Sequence, residues 1–113
     1  MENYIYFNEI QNPVTICDIK GLVVYMNKAA EKMLEKYDSK NLIGKSLYEC
    51  HNSHSNEIIK RLIENEESNS YFTLKNGVKK FVHQTPWYID GKMSGLIEII
   101  TVLPGDVPTL ERK

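Results

Sequence analysis

The chain has 113 residues, with 14 basic and 15 acidic side chains, a formal net charge of −1 and 42% hydrophobic residues. That length suits one domain burying roughly two-thirds of the surface its unfolded chain exposes. The near-even charge supplies neither a basic stripe for nucleic acid nor a polybasic patch for anionic lipid.

The opening MENYIYFNEIQ carries acidic and polar residues where a secretory signal has a basic start and a continuous apolar run. No later stretch is apolar for long enough to cross a bilayer. The two cysteines, Cys17 and Cys50, form no CxxC pair, so neither a disulfide framework nor a zinc ribbon is indicated and reduced thiols fit best. The expectation is a cytoplasmic domain without nucleic-acid or membrane partners.

Within the first twelve residues, Tyr4, Phe7 and Ile10 or Gln11 follow a helical spacing closed by Asn12-Pro13, the signature of a short N-terminal helix. VTICDI is rich in β-branched residues, DIKG is a turn and LVVYMN is a second β-rich run, together a hairpin. Asn27 can cap the next element, where Ala29, Ala30, Met33, Leu34 and Tyr37 form the stripe of a helix ending near Tyr37-Asp38-Ser39. LIGKSLYEC reads as one or two short helical turns. SNEIIKRLIENEE puts Ile58, Ile59, Leu62 and Ile63 on one helical face, with Glu57–Arg61 and Lys60–Glu64 as candidate i,i+4 ion pairs outside.

Three strands follow: SYFTL, VKKFVHQTPWYI and GLIEIITV, separated by the hairpin signals Asn76-Gly77 and Asp90-Gly91. Two strands, a helical cluster and three antiparallel strands make an α+β domain with helices packed on one face of a five-stranded sheet.

The order of these motifs resembles a PAS domain, a small sensory module of bacterial signalling proteins. The residues that carry the resemblance are Asp18 with Gly21 in D-x-x-G, Asn27 before Ala29 and Ala30, and Ile43-Gly44-Lys45 in the I-G-K/R position. It divides the chain into an N-terminal segment 1–12, a PAS domain 13–103 and an irregular tail 104–113. It implies a sensory domain that binds a small molecule between its long helix and sheet and signals as a homodimer or through a separate signalling protein. No phosphate-cradling glycine loop, HExxH, kinase or methyl-accepting segment is present, so no enzymatic activity is expected.

The stretch LYECHNSH departs from the ordinary pattern and looks like a PAS subgroup with a C-H-P-x-x-S type turn, matched by Cys50, His51 and Ser55, with Asn52 in the proline's place. Four readings stand open. Cys50, His51 and His54 could supply a haem or metal ligand, as a redox sensor would use. Cys50 with a histidine could be a nucleophile and base. Alternatively, Asn52, Ser53 or Ser55 caps the following helix and the cluster is structural. Flavin–thiol chemistry is disfavoured, because in light-sensing PAS relatives the reactive cysteine stands three residues after the glycine, where this chain has Leu47.

Along FVHQTPWY, alternation puts Phe81, His83, Thr85 and Trp87 on one face and Val82, Gln84, Pro86 and Tyr88 on the other. Glu98 shares a face with Leu96 and Ile100. The candidate pocket residues are therefore Cys50, His51, His54, Ile59, Leu62, Phe81, His83, Gln84 and Trp87, with His51 and His54 as the metal alternative and the cofactor unspecified.

Overall fold

A computed structural model describes residues 5–35, 42–50 and 52–113. Its elements are α1 (Ile5–Asn8), β1 (Val14–Asp18), β2 (Val23–Met26), α2 (Lys28–Leu34), α3 (Leu47–Cys50), α4 (Ser53–Asn65), β3 (Asn69–Lys75), β4 (Val78–Ile89) and β5 (Lys92–Leu103). The five strands form one antiparallel sheet in the order β2-β1-β5-β4-β3. The expected end of α2 at Tyr37–Ser39, and Tyr4 in the N-terminal stripe, lie outside the described residues.

The turns follow from their residues. Asp18 Oδ1 accepts from the Lys20 and Leu22 amides at 2.9 and 3.0 Å, folding the chain back so that Gly21, at φ 85°, passes under the Tyr48 ring. A Cβ at Gly21 would stand 2.6 Å from Tyr48 Cε2, which is why the motif ends in glycine. Asn76-Gly77 and Asp90-Gly91 all have positive φ and close two-residue hairpin loops, as type I′ turns require.

Asn27 caps α2, as its position predicts: Oδ1 accepts from Ala30 N at 3.0 Å and also from Val14 N at 2.9 Å. Its Nδ2 donates to the Phe7 and Asn12 carbonyls at 2.9 and 2.8 Å. One buried side chain thus joins α2, β1 and the N-terminal segment, satisfying polar groups that would be costly to bury unpaired.

Helices α2, α3 and α4 cover the inner face. Val23, Met26 and Ala30 pack with Leu34, Leu42 and Leu47, while Cys17, Ile59, Leu62 and Leu96 form a second cluster. The outer face also has a core, in which Val14, Ile16 and Tyr25 pack with Trp87, Ile97 and Ile99. The Tyr25 hydroxyl donates to Asn8 Oδ1, tying the N-terminal segment to that side. Strand β1 is consequently covered on both faces, with Val14, Ile16 and Cys17 buried and Thr15 and Asp18 partly so.

The i,i+4 pairs expected on α4 do not close within 4 Å. Glu66 takes a left-handed conformation at the helix C-cap, and Arg61 Nε lies 3.7 Å from Glu67 instead. Both partners are more than half exposed, so the exchange matters little for stability.

Candidate functional site: a cavity between helices and sheet

Between the helical layer and the inner sheet face lies a cavity of about 370 Å³. Its helical wall is apolar, built from Met33, Leu34, Leu47 and Ile59. The sheet contributes Cys17, Val82, Leu96 and Ile100, with a polar zone at Thr15, Gln84 and Glu98. A second cavity of about 430 Å³, bordered by Ser55, Ile58 and Asn69, shares Ile59, Tyr71, Gln84 and Glu98 with the first.

The polar zone is a rung of the sheet. Asn69 on β3, Gln84 on β4, Glu98 on β5 and Thr15 on β1 are successive register partners. Asn69 Nδ2 donates to Gln84 Oε1 at 3.0 Å, and Gln84 Nε2 donates to Glu98 Oε2 at 2.9 Å. With its oxygen engaged by Asn69, the Gln84 amide can present only its NH₂ to the carboxylate.

Two neighbours respond to this environment. Burial, reinforced by the Glu98 charge, pushes the Tyr71 phenol up from its ordinary value. Burial is also the main cause raising the Cys17 thiol, partly offset by a hydrogen bond with the Leu96 backbone and augmented by the Asp18 and Glu98 charges. Cys17 is accordingly a protonated, apolar wall residue rather than a thiolate nucleophile.

Similarity to known proteins agrees with the architecture. The family profile described as PAS domain matches residues 11–100. The chain belongs to the PAS domain family. No curated protein matches its sequence at a significant level. Among solved structures, the C-terminal domain of a Streptococcus mutans protein superposes with a TM-score of 0.68 at 15% identity, covering 87% of this chain and 80% of that one. The PAS domain of histidine kinase ThkA gives 0.60 at 18% identity, covering 79% and 97%. VqmA bound to DPO gives 0.68 at 20% identity over 90% of this chain, which spans 57% of the VqmA chain. At these identities the shared property is the PAS fold.

The structure brings Ile59 and Gln84 to the cavity and buries Leu62 beside it in the α4 core. Phe81, His83 and Trp87 lie elsewhere, since β4 alternation turns them to the outer face, opposite Gln84. Phe81 packs against Phe72 and stacks on His83, whose Nδ1 is 2.7 Å from Ser70 Oγ. Trp87 Nε1 donates to the Cys17 carbonyl at 3.0 Å, across Gly95.

Of the LYECHNSH cluster, His54 is exposed in the first turn of α4. Asn52 caps that helix, its Oδ1 accepting from Ser55 N at 2.8 Å, so the capping reading of this turn holds for Asn52. His51 and the Cys50 side chain lie outside the described residues. Among the described residues no group of three or more His, Cys, Asp or Glu side chains is placed to hold a metal ion. Sequence reasoning missed Asn69, Thr15 and Tyr71; the first was accessible, because the two-residue Asn76-Gly77 loop fixes the pairing of β3 with β4.

Proposed function

We propose that this PAS domain is a non-catalytic sensory module that binds a small organic molecule in the cavity between α2–α4 and the sheet. The observation that carries the reading is the 370 Å³ space itself, walled mainly by apolar side chains with a few polar groups, among them the Thr15, Gln84 and Glu98 rung. A tightly filled core would present no such opening. VqmA, which shares the fold, has been solved bound to DPO.

Occupancy changes the packing of helices on sheet only through different affinity for two packings. The output then passes to a second copy of the chain or to a separate signalling protein through exposed apolar residues such as Phe72 and Leu74. The test is native mass spectrometry of freshly purified protein beside its visible spectrum. A retained organic mass in one-to-one ratio is the expected result. A Soret band or stoichiometric metal would overturn it in favour of a redox sensor and make His51 and His54 the residues to mutate.

A further inference from the structure

The cavity holds an acceptor without a matching cation. Glu98 is half-buried at the junction of the two cavities and lines both. Its Oε2 is occupied by Gln84, whereas Oε1 accepts no hydrogen bond from the described residues. Among those residues no Lys, Arg or His nitrogen lies within 4 Å of the carboxylate. Lys80 also contributes to the wall, but on β4 it is four residues from Gln84, roughly 13 Å along the strand.

A half-buried carboxylate gains most from a donor that is itself charged, because charge-assisted hydrogen bonds are about twice as strong as neutral ones. Its orientation is already fixed, since the Asn69-to-Gln84-to-Glu98 series leaves the amide no alternative partner. Beyond this acceptor, Met33, Leu34, Leu47, Ile59 and Leu96 offer surface for a hydrocarbon or aromatic body, while the other polar groups of the lining are the neutral Thr15, Tyr71, Thr73 and Gln84 and the distant Lys80.

We infer that the ligand class is an organic cation, an apolar body bearing a protonated amine or similar N–H donor, with its nitrogen seated on Glu98. This rests on the cavity being a ligand site, and the experiment separates the two claims. Three probes with one phenyl body and different heads, 2-phenylethylamine, 2-phenylethanol and 3-phenylpropionate, are titrated into ¹⁵N-labelled protein and followed by amide shifts around Gln84 and Leu96.

The expected result is saturable binding of the amine about tenfold or more tighter than the alcohol or the acid. Glu98→Gln should then weaken the amine to the level of the alcohol while leaving the alcohol unchanged. Equal or tighter binding of the alcohol or acid to the wild-type protein overturns the cation inference and leaves the cavity reading standing. If none of the probes shifts these amides, both fall. The wild-type ranking decides the matter even if Glu98→Gln fails to fold.

Discussion

The two edges of the sheet are built differently. At the β2 edge the backbone is taken up by the Ile43-Gly44-Lys45 segment: Gly44 N donates to Val23 O at 2.7 Å, Val23 N to Lys45 O at 2.9 Å and Leu47 N to Gly21 O at 2.8 Å. Three of the four β2 residues are buried. At the β3 edge none of the seven residues is buried, and Leu74 is 74% exposed. One edge is sealed by the chain itself and the other is left open, with the cavity rung ending at Asn69 on the open side.

The lesson is that the family's recurring glycine and asparagine positions serve the sealed half, while the groups proposed to select a ligand belong to a rung that runs out to the open edge. An edge whose hydrogen bonds are all internal resists deformation, and an unpaired edge can breathe at low cost. Motifs that fix the fold therefore carry little information about what is sensed.

The largest effect should come from the seam joining β1 to β5. A Cβ on Gly95 would stand 1.9 Å from the Cys17 carbonyl oxygen and 2.6 Å from Trp87 Nε1. Gly95→Ala is expected to destabilise the domain by more than about 3 kcal/mol in urea unfolding, through forced separation of two strands. A loss below about 1 kcal/mol would mean that the sealed half is as yielding as the open one.

Next comes Asn27→Ala, which removes the cap of α2 and strands the buried Val14 amide, at a cost of roughly 2–4 kcal/mol. Asn27→Asp keeps the acceptor for Val14 and Ala30 but loses both donated bonds, so it should recover only part of that loss. Full recovery in the same titration would show that the bonds to Phe7 and Asn12 contribute nothing.

The smallest effect is expected on the open edge. Phe72 is 57% exposed, and its contacts are Phe81 and the Lys79 ammonium, 4.3 Å from the ring centroid. Phe72→Ser should change stability by less than about 1 kcal/mol. A larger drop that grows with protein concentration in thermal melts would reveal that a second copy covers this edge.

Much of the fold was legible in local chemistry. Asp18, Gly21 and Asn27 each satisfy particular backbone groups, and Asn-Gly and Asp-Gly specify their turns whatever the rest of the chain does. The site was only half legible. Alternation separated Gln84 from Phe81, His83 and Trp87, but hydropathy did not say which set faced the helices, because this sheet has apolar residues on both faces. Alternation put Glu98 on the face of Leu96 and Ile100 without saying whether it was exposed or partnered, and its pairing with Gln84 depends on the β-bulge between Trp87 and Tyr88. Counting back from the Asp90-Gly91 turn without that extra residue would oppose Gln84 to Ile97. At the bulge the indole reaches the Cys17 carbonyl across Gly95, a contact between residues 70 positions apart that local sequence does not announce.

Strand β5 is laddered to β1 on one side and β4 on the other, and near its end Ile100 N donates to the Pro13 carbonyl at 3.1 Å. A slip of one residue would turn the Glu98 side chain to the opposite face of the sheet, so small sliding movements are costly for this strand. It works as the fixed jaw of a vice. On the proposed reading, a ligand in the cavity meets a wall held by ladders on both sides, and the displacement it causes falls on the helical layer opposite.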